Sequence, residues 1–98
     1  HENCGAVRAA VSVVKEHYGF SANINKVLQP LYPAIMEVGE DSQHDLVNTA
    51  ARHNVQRVVR ELQDEASPAL RRPQELGTLK VVGAFYELGS GEVEWLDL

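Results

Sequence analysis

The chain has 98 residues, a length that suits one small domain or a part of a larger one. Its 44% hydrophobic and 23% charged residues are ordinary for a globular protein, and no apolar run approaches the roughly 20 residues of a membrane span. Fourteen acidic against nine basic residues give a net charge of −5, which argues against a nucleic-acid binder, and a single cysteine excludes an intramolecular disulfide.

The first predicted helix follows Gly5. Apolar residues recur there at spacings of three and four, which is typical of one helix face: Val7, Ala10, Val11, Val14 and Tyr18. Gly19 is the expected C-cap, because glycine adopts the left-handed backbone conformation that ends many helices. The pattern therefore predicts a half-buried helix that follows Gly5 and ends at the Gly19 cap.

A second helical pattern begins near Asn23, a residue type that caps helix N-termini. Its apolar stripe is Ile24, Val27, Leu28, Leu31, Ile35 and Val38. Pro30 and Pro33 lie inside this stripe, and a proline removes a backbone donor and clashes with the preceding turn. We expect two short helices or one kinked helix ending near Gly39, followed by a polar loop over residues 40–44.

The clearest helical pattern runs from about Gln43 to Glu65. Its apolar stripe is Val47, Ala51, Val55, Val58 and Leu62, with most charged residues on the other side. Ser67 and Pro68 then predict the N-cap and first residue of a short helix that ends by Gly77, or earlier at Pro73.

The last stretch changes period and predicts a hairpin. A largely buried strand over 79–88 and a half-exposed strand over 92–97 are separated by the turn Gly89-Ser90-Gly91. The apolar phase slips at Trp95-Leu96, which indicates a bulge or the end of the strand. Since a two-stranded hairpin needs a larger sheet and the chain offers no other strand, we expect a fragment that lacks an amino-terminal part.

His1 and Cys4 are the candidate metal ligands. An imidazole and a thiolate three residues apart can bind one zinc ion, and a helix N-terminus favours the thiolate. Gly5 lets the backbone approach a metal-bound ligand closely. Two ligands are fewer than the usual three of a catalytic site, and the other histidines show no matching spacing. By itself, His-x-x-Cys is more often an incidental pair in which the cysteine is an inert core residue.

The succession of segments is more specific than any one of them. His1-Glu-Asn-Cys4-Gly-Ala-Val-Arg-Ala-Ala resembles the second zinc motif of β-class carbonic anhydrases. Residues 53–62 resemble that family's long helix, and residues 67–70 and 77–93 resemble its closing helix, strand and turn. The resemblance implies an α/β parent with a mainly parallel sheet flanked by helices. Residues 1–98 would be the carboxy-terminal portion of that single domain, mostly helical with a C-terminal pair of strands.

The resemblance also implies the chemistry. It makes His1 and Cys4 two of three protein ligands to zinc, places Gly5 at the cofactor site, and implies hydration of CO2 to bicarbonate by zinc-bound hydroxide. The family's other cysteine lies in a Cys-x-Asp-x-Arg motif whose Asp–Arg pair orients the fourth ligand. No Cys-x-Asp-x-Arg occurs in this chain, so we expect the isolated fragment to be inactive.

Several alternatives stay open. The same site can serve a zinc hydrolase that acts on carbonyl sulfide or carbon disulfide, and the chain can instead be a non-catalytic helical interaction or oligomerisation module. A free α-amine at His1 also permits an adventitious metal site. Helix faces that would pack on a missing sheet must bury their apolar residues against another surface. We therefore expect a homo-oligomer, a dimer or higher. We expect no nucleic-acid or membrane partner, and a cytoplasmic location unless an upstream targeting segment exists.

Overall fold

The computed structural model describes residues 1–39, 45–64 and 68–96. Helices dominate these ranges: α1 (Gly5–Glu16), α2 (Ala22–Leu28), α3 (Tyr32–Val38), α4 (Leu46–Asp64) and α5 (Pro68–Glu75). An antiparallel pair of strands, β1 (Gly83–Tyr86) and β2 (Val93–Leu96), closes the described chain. The mostly helical chain with a C-terminal strand pair that the sequence predicts is thus confirmed.

Two helix caps differ from the prediction by two residues each. Helix α1 ends at His17, which adopts the left-handed conformation (φ 57°) expected of Gly19, and its N–H donates to the Val13 carbonyl. The N-cap of α2 is Ser21 rather than Asn23, because the Ser21 hydroxyl accepts a hydrogen bond from the Ile24 N–H at 3.4 Å. A hydrogen bond to a nearby group thus sets the last residue of α1 and the first residue of α2.

The predicted interruption of the second helical pattern is confirmed. A single turn of 3₁₀ helix, Gln29–Leu31, separates α2 from α3, and Pro30 and Pro33 each lie in the first two positions of their segment. There the missing proline N–H would have no helical partner in any case. Helix α3 ends at Gly39, whose φ of 66° suits glycine. The predicted loop over 40–44 lies outside the described residues.

Helix α4 is the central element and contacts α1, α3, α5 and β1. The predicted helix over 43–65 is confirmed for 46–64, and the flanking positions fall outside the described ranges. A single core cluster lies between these elements and contains Val7, Ala10, Leu28, Ile35, Ala50, Ala51 and Phe85. Val58 and Leu62 belong to the predicted apolar stripe but are exposed, because periodicity predicts a shared face and not the neighbour that covers it.

Helix α5 begins at Pro68 and ends before Gly77, as predicted, and it tolerates Pro73 in its last turn. Its N-cap, predicted at Ser67, lies outside the described ranges. The Gln74 side-chain amide donates to the Leu62 carbonyl at 2.9 Å and so ties α5 to the end of α4.

The hairpin is shorter than predicted, with four residues in each strand. Its register is unbroken, pairing Gly83 with Leu96 and Tyr86 with Val93 at the two ends, so no bulge accompanies the phase slip at Trp95-Leu96. The expectation of a largely buried first strand is wrong for the outward-facing residues, since within β1 burial is confined to Gly83 and Phe85. The turn uses Gly91 at φ 77°.

Phe85 joins the hairpin to α4. Its side chain is 2% exposed, and the Arg52 guanidinium lies over the ring at 4.0 Å from its centroid. Arg52 also donates to the Glu94 carboxylate at 2.6 Å, on the strand paired with β1. One α4 side chain therefore contacts both strands.

We expect Phe85→Ala to lower the free energy of unfolding by about 3–5 kcal/mol, because the cavity left under Arg52 cannot be filled from the surface. Urea denaturation followed by circular dichroism measures the change. Trp95→Ala is the matched aromatic control: Trp95 is 69% exposed, so its loss should change stability by no more than about 0.5 kcal/mol. Equal effects of the two substitutions would contradict the core assignment.

Ion pairs between α3 and α4 predict that the stability of the fold depends on pH in the acid range. The hydrogen bond from Arg57 at 2.9 Å lowers the pKa of Glu37 below its ordinary 4.5, with a smaller contribution from His53. Because Glu37 ionises more readily in the folded chain, the pair stabilises the fold above the ordinary pKa, and this is lost as pH falls through the lowered value.

Glu37→Gln should therefore lower the urea midpoint at neutral pH, and the difference from the unsubstituted chain should disappear as pH falls through the lowered pKa of Glu37, because the carboxyl then becomes protonated. Glu75→Gln is the control, since its carboxylate lies 3.7 Å from Arg72 within a single helix. A difference that persists undiminished in acid would show that the Arg57–Glu37 pair is not its source.

Candidate metal centre

The predicted ligands lie on one tight turn before α1. Glu2 and Asn3 form the turn, Cys4 is the N-cap of α1, and Gly5 is the first helical residue. The first and fourth residues of such a turn have Cα atoms within about 7 Å of each other. His1 is exposed, whereas Cys4 is half-buried against the core cluster and its thiol makes no capping hydrogen bond.

The imidazole of His1 is oriented by the backbone. Its Nδ1 lies 2.9 Å from the Glu2 carbonyl oxygen. Because a carbonyl only accepts, this contact assigns the proton to Nδ1 in the neutral ring and leaves the Nε2 lone pair free. Histidines that bind metals in proteins commonly donate their second ring N–H to a backbone carbonyl in this way.

Asn3 gives the turn its shape. Its φ is 53°, in the left-handed region that asparagine enters more readily than most side chains. The Asn3 N–H donates to the Asn48 side-chain oxygen at 2.8 Å, which ties the turn to α4.

Two further hydrogen bonds tie the turn to the hairpin. The Glu2 N–H donates to the Tyr86 carbonyl at 2.8 Å, and the Glu2 carboxylate accepts from the Gly89 N–H at 3.1 Å. Sequence analysis missed both Glu2 and Asn48 as residues of this site. Their partners lie 87 and 45 residues away, and no local pattern signals such pairs.

Two other histidines, His17 and His53, lie away from the turn. His17 ends α1, His53 faces Glu37 across the α3–α4 contact at 3.6 Å, and His44 falls outside the described ranges. Across residues 1–39, 45–64 and 68–96, no group of three histidine, cysteine or acidic side chains is arranged to bind a metal ion. The turn itself offers one thiol and one imidazole, a donor set that suits zinc.

Gly5 borders open space. A Cβ added there would meet no other atom within 4 Å, so packing among the described residues does not require glycine at this position. The space beside the N-terminus of α1 is thus free for a group that binds near Cys4.

The fold and the turn together define a helical part of an α/β protein that carries two zinc-type donors at a helix N-terminus. A family model described as carbonic anhydrase matches residues 1–93, and the chain belongs to this family, the β-class carbonic anhydrases. A carbonic anhydrase from Mycolicibacterium smegmatis is 30% identical over 94 residues. The alignment covers 96% of this chain but 45% of that relative, so the chain spans less than half of the relative's length.

Among the helices of the described ranges, none has both the length and the apolar character needed to cross a bilayer.

The backbone of Asn3 predicts which substitutions the turn tolerates. Asn3→Gly should leave thermal stability unchanged or slightly raised, because glycine adopts positive φ freely. Asn3→Val should cost about 1–2 kcal/mol, since its branched Cβ clashes in the left-handed region. Thermal unfolding followed by circular dichroism measures both, and a valine variant as stable as the glycine variant would contradict the turn geometry.

Proposed function

We propose that this chain is the carboxy-terminal portion of a β-class carbonic anhydrase domain and supplies two of the three protein ligands, His1 and Cys4, to a catalytic zinc ion. The observation that carries the proposal is the turn before α1, which has at its two ends the His1 imidazole, bonded through Nδ1 to the Glu2 carbonyl, and the Cys4 thiol, which makes no capping hydrogen bond. Family membership supports zinc as the metal. The partial coverage of the relative supports a domain that extends beyond these residues.

The residues of the turn have distinct roles in this proposal. His1 binds through Nε2, since Nδ1 donates to the Glu2 carbonyl. Cys4 binds as the thiolate, and its place before the free N–H groups of α1 suits a negative charge. Gly5 leaves space for the group beside the metal. A bound zinc ion lowers the pKa of water to about 7 and so supplies hydroxide for attack on CO2 at neutral pH.

The third ligand and the Asp–Arg pair must come from elsewhere. The family's Cys-x-Asp-x-Arg motif is absent from the 98 residues, and two protein donors do not complete a catalytic zinc site. We therefore propose that the isolated chain lacks CO2 hydration activity and that the activity belongs to a longer form of the protein.

The other sequence-based hypotheses stay predictions. A substrate such as carbonyl sulfide uses the same metal chemistry, and pocket shape decides between it and CO2. Self-association has one supporting observation: Tyr86, Val93 and Trp95 form an exposed apolar face of the hairpin. A purely non-catalytic interaction module would use that face and would not need the thiol. The cytoplasmic location and the lack of a nucleic-acid partner likewise stay predictions.

A cysteine substitution separates the enzyme from the interaction module. In a longer form of the protein that includes the residues preceding His1, Cys4→Ser should lower bound zinc to well below one ion per chain and abolish CO2 hydration. Inductively coupled plasma mass spectrometry after dialysis measures the bound zinc, and a stopped-flow pH-indicator assay measures CO2 hydration.

His17→Ala is the matched control, since His17 lies at the far end of α1 and should affect neither zinc nor rate. The same assay with carbonyl sulfide tests the alternative substrate. A Cys4→Ser protein that keeps its zinc and its rate would refute the proposed metal centre.

A further inference from the structure

We propose that Asn48 and Glu2 are positioning residues for the metal ligands His1 and Cys4, an inference that rests on the proposed function. His1 and Cys4 lie at the two ends of one turn, and the two residues between them form hydrogen bonds with different elements. Asn3 is tied to α4 and Glu2 is tied to the hairpin. The distance between imidazole and thiol thus depends on contacts made far along the chain.

Asn48 provides the contact with α4. It lies half-buried in the first turn of that helix, two residues before the core residue Ala50, so packing fixes its backbone. Its side-chain oxygen accepts from the Asn3 N–H at 2.8 Å. This bond stabilises Asn3 at positive φ, a conformation that an isolated chain rarely holds.

Glu2 provides the contact with the hairpin through two atoms. Its N–H donates to Tyr86, and its carboxylate accepts from Gly89 in the following turn. Because the Arg52 contacts with Phe85 and Glu94 hold the hairpin to α4, both anchors of the ligand turn belong to one packed unit.

The side-chain hydrogen bonds of Asn48 and Glu2 fit a role in positioning the ligands better than a role in the overall stability of the fold. The side-chain bonds of Asn48 and Glu2 lie at the surface, where water can replace a lost partner. Removing either should therefore change overall stability little and should free the turn. A metal ion needs both donors in place at once, so freeing the turn should weaken metal binding.

The test uses cadmium titration of the 98-residue chain, followed by the cadmium–thiolate absorption that reports Cys4. Asn48→Ala and Glu2→Ala should each weaken binding by about tenfold or more. Asn48→Asp and Glu2→Gln keep an acceptor oxygen. Both should therefore retain the cadmium affinity of the unsubstituted chain, although the first adds a negative charge and the second removes one. Amide hydrogen exchange should be faster at Asn3 in Asn48→Ala and at Gly89 in Glu2→Ala.

Two controls separate positioning from stability. Ile35→Val trims the core and Ser12→Ala removes the hydrogen bond from the Ser12 hydroxyl to the Arg8 carbonyl, and neither side chain takes part in the hydrogen bonds that hold the turn. Both should leave cadmium affinity unchanged even where the melting temperature falls. Unchanged affinity in Asn48→Ala and Glu2→Ala would overturn the positioning role while leaving the metal centre intact. Absence of the thiolate absorption in the unsubstituted chain would refute ligation by Cys4, and the positioning role with it, whatever the amide exchange shows.

Discussion

The packing of Phe85 beneath the Arg52 guanidinium is the contact on which the rest of this structure depends. It holds a hairpin that is too small to be stable alone against the longest helix. The turn that carries His1 and Cys4 forms hydrogen bonds with that hairpin and with the same helix. A loss of the aromatic contact would therefore separate the two anchors between which His1 and Cys4 lie.

The proposed metal centre takes two donors that are close together in the sequence and a third from another segment. His1 and Cys4 are three residues apart, so a single turn brings them together at little entropic cost. A third ligand from another segment requires the completed domain. Under this proposal a chain that spans 45% of its relative would supply two donors, and its described residues contain no group of three metal-binding side chains.

The apolar surface of the hairpin has a related origin. Side chains alternate across a strand, so Phe85 enters the core while Tyr86 and its partner Val93 face outward. In an α/β protein both faces of a sheet are covered by helices. In the proposed domain, Trp95 and Val93 would be covered in this way, and the predicted oligomer would cover the same face.

The amino-acid sequence by itself determined the helices, the break at Pro30 and Pro33, the hairpin position and the His-x-x-Cys turn, because each depends on spacing within a few residues. It misplaced the caps at Gly19 and Asn23, where a neighbouring residue formed the hydrogen bond instead. Only the tertiary structure decided that Val58 is exposed, that the strands are short, and that Asn48 and Glu2 support the ligand turn. The bonds of Asn48 and Glu2 join residues 45 and 87 positions apart, and hydrogen bonds at that separation follow from packing and leave no periodic trace in the chain.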